Sequence, residues 1–324
     1  MQQTPGWRDL HMTNRDNLNS GIITTAGCEI EPLDPGSFST FGINGLKHNY
    51  HLHPMMQLDK LEELAHFMLK KGKCRFVSPD IELDSEFLHH GSLPDDKDLS
   101  QVFAEISKPR SWIALYNIEV NPEYRRFLNE VIDKLRPLVE PEQKRIFDVR
   151  GFIFISAPPS VTPFHIDREN NFWLQIKGQK NITVFDHRNR DVVSAKAVEE
   201  FFIYRSLDDV RLDLDMIDQG MEFVTSPGDG LYFPSTTPHM TTSKEDWVTP
   251  DDGVSISIGI VFYTDFTRNQ ARIHQTNHAI RKLGVTPAEP GNSTIRDLLK
   301  QTTGYAITAL KTRFRGYSPP PGIL

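Results

Sequence analysis

Apolar residues recur at three- and four-residue spacing over 58–71, where Leu58, Leu61, Leu64, Ala65, Met68 and Leu69 share one face and Gly72 closes the run, so a helix is expected there. The same period marks 99–106 and 123–138, the latter expected to stop before Glu140-Pro141, and short β-type runs stand at 74–77 and 112–116. From Arg150 the period changes to two. Runs at 152–155, 172–176, from Lys180 onward, 222–224, 231–233 and 254–263 are parted by Gly, Pro and Asp turns, as in an antiparallel barrel or sandwich. Between them, 186–220 is charged and partly helical and reads as an insertion at the barrel mouth, where loops commonly meet substrate. Helical period returns after Asp265 in three pieces, 267–283, 293–302 and 305–314, with a break at 286–291. The expected fold is mainly β with flanking helices, divided into a flank at 1–149, a barrel at 150–265 and a helical segment at 266–324.

Two strands carry side chains on unexpected faces. Lys180 shares parity with Ile182 and Val184, which sets an ammonium on an apolar face. Such a lysine either snorkels out at the strand end or meets a buried anion. In the last strand Ile256, Ile258 and Ile260 fall on one parity and Ser255, Ser257 and Gly259 on the other. The small set faces either a pocket that needs room for a ligand or solvent, and parity leaves both readings open.

The chain has 324 residues, 38% hydrophobic and 24% charged, enough for one large core or two modest ones. A net charge of −7 gives no general attraction to nucleic acid or anionic membrane, so nucleic acid is not an expected partner, although a local basic patch remains compatible with it. The two cysteines, Cys28 and Cys74, form no metal-type spacing and suit packing in a reducing compartment. The first ten residues lack an apolar core and no stretch is long and apolar enough to span a bilayer, so a cytoplasmic protein is expected. The segment to about Pro35 reads as an irregular arm, and 318–322 as an extended tail.

The chemistry concentrates in 161–180. In an extended run His165 and Asp167 turn to one face, and a second imidazole from His239 would complete a 2-His-1-carboxylate triad with open positions on the metal. His51-x-His53 has comparable spacing, but Pro54 follows and no acidic residue is near, so a packing or surface pair is expected.

The run Thr162-Pro163-Phe164-His165-Ile166-Asp167, with Lys180 opening a later strand and 227–234 leading to His239, resembles the Jumonji-C, cupin-like branch of the Fe(II)/2-oxoglutarate-dependent oxygenases. Within that branch it is most similar to the asparaginyl hydroxylase that inhibits the hypoxia-inducible factor. The resemblance implies a double-stranded β-helix (cupin or jelly-roll) core, with Fe(II) on His165, Asp167 and His239. It further implies 2-oxoglutarate on Thr162, Lys180 and Asn171, O2 as cosubstrate, and a homodimer through the C-terminal helices. Gly259 departs from it, standing where the hydroxylase carries a second Asn near the cosubstrate. The expected function is a dioxygenase, of hydroxylase type, acting on a substrate the sequence does not identify. A metal-binding cupin without oxygen chemistry and a catalytically silent interaction domain are the alternatives. The first is opposed by Lys180 and Thr162 standing in register with the triad, the second by the full set of ligands.

Overall fold

The structure, a computed structural model, describes residues 27–76, 98–107, 112–247 and 253–315. Most of the expected N-terminal arm and the proline-rich tail lie outside the described residues. Among the described residues, twelve strands form two sheets. They are β1 (Ile30–Pro32), β2 (Asn44–His48), β3 (Cys74–Phe76), β4 (Trp112–Tyr116), β5 (Ile146–Ser156), β6 (Ser160–His165), β7 (Asn170–Lys177), β8 (Lys180–Val184), β9 (Met221–Thr225), β10 (Asp229–Phe233), β11 (His239–Ser243) and β12 (Ser255–Thr264). The larger sheet has the order β1-β2-β10-β7-β12-β5-β4-β3 and the smaller β6-β11-β8-β9, and every pairing is antiparallel. Sheet on sheet, antiparallel throughout, with strands alternating between the layers, is the jelly-roll expected from the period-two runs.

Among the described residues, six α-helices flank the sheets: α1 (Leu58–Lys70), α2 (Leu99–Ala104), α3 (Pro122–Gln143), α4 (Ala195–Tyr204), α5 (Asp265–Arg281) and α6 (Thr294–Arg315). Burial follows from which face each element covers. On the outer face of the larger sheet, Ile153, Ile155, Phe172, Leu174, Ile256, Ile258 and Ile260 pack with Leu61, Leu64 and Met68 of α1 and Phe127, Val131 and Leu135 of α3. The outer face of the smaller sheet is covered by the 186–220 insertion, whose Val198, Phe201 and Phe202 pack on Phe164, Phe185 and Met240. Between the sheets, Trp173, Ile182, Val184, Leu231 and Phe233 form a small core, and the rest of that space is a cavity.

Two expectations about helices need correction. The third helix does not stop before Glu140 but runs through Pro137 and Pro141 to Gln143. Both prolines are exposed, on the side away from buried Leu135, Val139 and Gln143, so water can satisfy the freed carbonyls while burial holds the helix. The pieces expected at 293–302 and 305–314 are one helix, α6. A Cβ on its Gly304 would lie 2.3 Å from the Arg272 carbonyl oxygen, so this glycine marks a close crossing with α5, not a break. On that face Thr308 Oγ1 donates to Gln275 Oε1 at 2.7 Å and Thr276 Oγ1 to the Lys300 carbonyl at 2.7 Å. The apolar residues Ile295, Leu298, Leu299, Leu310 and Phe314 remain exposed on α6, Ile295 at 75%.

Candidate metal centre and cosubstrate cavity

β6 ends at His165, and Asp167, two residues on, lines the same opening. The Asp167 carbonyl is pinned by the Thr236 N–H at 2.7 Å, which ties the loop after β6 to the turn before β11 and so to His239. His239 pairs with His165 across the β6–β11 ladder, but Thr241 pairs with Thr162, one residue out of step. Without that register shift Thr162 and His165, three apart, would face opposite sides. With it, both line the cavity.

His165, Asp167 and His239 each offer one ligand atom, and these atoms lie within 4.8 Å of one another. His165 Nδ1 is 2.8 Å from the Pro163 carbonyl and His239 Nδ1 is 3.0 Å from the Thr237 carbonyl. Since a carbonyl only accepts, each Nδ1 carries a proton, which leaves Nε2 as the nitrogen facing the ligand position. His239 Nε2 is 3.8 Å from Asp167 Oδ2. Burial draws the His239 imidazole down to about 4, so it is neutral at ordinary pH, as a ligand must be. Two imidazoles and a carboxylate on one side of a cavity, each imidazole oriented by a backbone carbonyl, fit a divalent metal. Among the described residues no other cluster of three such side chains occurs. His51 and His53 are not part of one; His53 Nδ1 instead accepts from the Met55 N–H at 3.1 Å.

The cavity has a volume of about 770 Å³. Lys180 lies deep in it, 1% exposed, and does not snorkel. Its Nζ donates to Ser156 Oγ at 3.2 Å, and burial lowers the ammonium to about 8. Thr162 also lines the cavity, and the Asn171 side chain reaches it with Oδ1 buried and without a hydrogen-bond partner. A buried cation beside a hydroxyl and an orphaned carboxamide oxygen is a cradle suited to a small carboxylate ligand. Ser257 and Gly259 face the same space, so the small parity of the last strand serves a pocket, and the isoleucines opposite it pack in the core. A Cβ at Gly259 would stand 3.2 Å from Asn171 Oδ1, so in this chain the Asn171 side chain takes the room a second asparagine would need.

Sequence reasoning missed two participants. Ser156 was readable as the same-face continuation of Phe152 and Phe154, but nothing in the pattern pairs it with Lys180. Arg168, beside a ligand, sets its guanidinium 5.6 Å from the centre of the Phe201 ring, with Nη1 buried and unbonded. Residues of the segment 205–212 border the cavity, as the insertion at 186–220 was expected to do.

Residues 143–266 match the model of the JmjC domain. No curated protein matches. Among solved structures, the ribosomal oxygenase YcfD of Escherichia coli is similar at 17% identity and a TM-score of 0.39, covering 78% of this chain and 58% of that one. The chain thus spans less than two-thirds of that relative. YcfD in complex with cobalt and 2-oxoglutarate aligns at 16% identity and a TM-score of 0.40, over 89% and 64% of the two chains. The complex with cobalt and succinic acid gives 16% and 0.37, over 82% and 60%. Similarity of that size fixes neither substrate nor activity. The match to the JmjC domain agrees with the coarser resemblance read from the sequence; the narrower one, to an asparaginyl hydroxylase, finds no support in these comparisons.

Proposed function

We propose that the protein is an Fe(II)- and 2-oxoglutarate-dependent dioxygenase of the hydroxylase type. The observation that carries this is the convergence of His165, Asp167 and His239 in one cavity with the buried ammonium of Lys180. The Nε2 atoms of His165 and His239 and the Asp167 carboxylate would hold the iron, leaving the side toward the cavity open. Lys180 and Thr162 would take the distal carboxylate of 2-oxoglutarate, with Asn171 reaching the same molecule. When bound, the pair supplies oxidation by O2, with release of succinate and CO2 and transfer of one oxygen to a C–H bond. The chain's own part is to orient and exclude. Backbone carbonyls fix both imidazoles, Lys180 supplies charge that only an anion satisfies, and α4 with the segment after it walls the site from water.

In this reading 150–265 carries the chemistry and 1–149 supports the larger sheet. The segment 266–324 joins two copies through the exposed apolar stripe of α6, an isologous contact. The free, buried Cys28 and Cys74 suit the cytoplasm; among the described residues no helix is long and apolar enough to cross a membrane. The resemblance to an asparaginyl hydroxylase is the narrowest form of the reading, and Gly259 tells against an identical substrate.

The test is succinate formation from 2-oxoglutarate by Fe(II)-loaded protein, alone and with candidate substrates. Activity absent in both, together with failure to bind 2-oxoglutarate, removes the oxygenase reading and leaves a metal-binding cupin.

A further inference from the structure

The oxygenase reading leaves the primary substrate unnamed, and any assignment of that substrate rests on the same reading for its chemistry though not for its binding. On β5, Arg150, Phe152, Phe154 and Ser156 alternate onto one face and, apart from Ser156, line the cavity. Register sets Tyr116 beside Phe152 and Ala114 beside Phe154, and β3 sets Arg75 beside Ala114. Tyr116 N–H donates to the Lys73 carbonyl, which carries the same face one strand further. The result is a platform at the edge of the larger sheet. The Tyr116 ring lies 5.3 Å from Phe152, tilted by 54°, and 6.2 Å from Phe154, edge-on at 87°, so the three rings form an apolar notch with Lys73, Arg75 and Arg150 around it. It begins where the cosubstrate cradle ends, since Ser156 on this face holds Lys180.

Across the opening stand Arg168, with its unbonded Nη1, and Arg205 and Arg211 from the segment after α4. Among the described residues, the acids lining this opening beyond the metal ligand are Glu169 and Asp208, and Glu119 lies close enough to act on Lys73 and Arg150. Glu169 accepts the Tyr263 hydroxyl at 2.6 Å. Arg150 is held at 2.6 Å by Asp148. On a chain of net charge −7, six cations gathered at one mouth are a local reversal of sign, which selects an anion. Charge alone would serve an acidic peptide equally. Three rings set at an angle to one another add a second feature, since a nucleobase can stack on one ring while its edge meets another.

We propose that the primary substrate is a nucleotide unit, its base on the Tyr116–Phe152–Phe154 platform and its phosphate among the arginines and Lys73, presenting a C–H bond of base or ribose to the metal centre. A free nucleotide and a nucleotide within an RNA strand share this chemistry.

The experiment is fluorescence anisotropy with full-length protein carrying Mn(II) and 2-oxoglutarate, using a labelled RNA of about twelve nucleotides. AMP and a glutamate-rich peptide of equal charge serve as competitors. Phe152→Leu and Tyr116→Leu keep apolar volume and leave charge untouched, and each is expected to weaken RNA binding about tenfold. Lys73→Glu and Arg75→Glu are expected to weaken it by a similar factor of about ten and to flatten its salt dependence. AMP competing as well as RNA assigns a free nucleotide; AMP competing poorly assigns a strand. No binding below about 100 µM, or RNA and peptide binding alike with no response to either Leu variant, overturns the proposal. Calorimetric titration of 2-oxoglutarate into the same protein keeps the two readings apart. Lost cosubstrate binding with RNA binding intact sinks only the oxygenase reading, and the reverse sinks only the nucleotide one.

Discussion

Replacing Lys180 by Met should make the empty protein more stable and the cosubstrate much weaker. Burial pulls this ammonium from 10.5 to about 8, a gap worth about 3 kcal/mol against folding at neutral pH. Losing the bond to Ser156 gives back about 1 kcal/mol, so the net gain is about 2 kcal/mol, or a few degrees in melting temperature. Because the folded pKa lies below the unfolded one, the unfolded chain binds more protons between about pH 8 and 10.5, and wild-type stability rises across that window as the lysine sheds its proton. The advantage of Lys180→Met is therefore full below about pH 8 and fades toward 10.5. In the opposite sense, removing one partner of a buried charge pair costs about 2–5 kcal/mol, so 2-oxoglutarate affinity should fall by about 30-fold to several thousandfold. Differential scanning fluorimetry without ligand reads the first effect and calorimetry on Mn(II)-loaded protein the second. A variant that melts lower than wild type and binds 2-oxoglutarate within about threefold of it refutes both the buried charge and its role.

Asp167→Ala should abolish turnover and weaken metal binding by two orders of magnitude or about that, with little loss of fold; unchanged Mn(II) affinity by calorimetry contradicts the triad. Gly259→Asn should displace Asn171 and raise the 2-oxoglutarate KM more than it lowers kcat, whereas an unaltered KM means the two positions do not compete for space. Truncation after Asn292 should turn a dimer into a monomer on light scattering, and a full-length protein already monomeric at micromolar concentration removes the dimer.

What the sequence made legible depended on regular periodicity. Lys180 could be assigned to an inward face because 180, 182 and 184 stay in step, and His165 with Asp167 because an extended run of three needs no partner strand. Thr162 could not be derived that way: its inward side chain depends on the β6–β11 register shift, which exists only once two strands pair. The last turn of α3, beyond 138, was hidden for a related reason, since Pro141 weighs against a helix locally while the burial of Val139 and Gln143 that outweighs it is tertiary. The pieces at 293–302 and 305–314 were read as two because spacing does not show a glycine, here Gly304, that lets two helices touch.

β7 carries two unrelated duties on alternate residues. Phe172, Leu174 and Ile176 belong to the core shared with the helices, while Asn171 and Trp173 look into the cavity. Tolerance at this strand is consequently uneven: Phe172 and Leu174 answer to folding, Asn171 to the site, and Trp173, which also packs in the core between the sheets, to both. Saturation mutagenesis across 171–174 would display that as a sawtooth, abundance dropping at 172 and 174, turnover alone at 171, and both at 173.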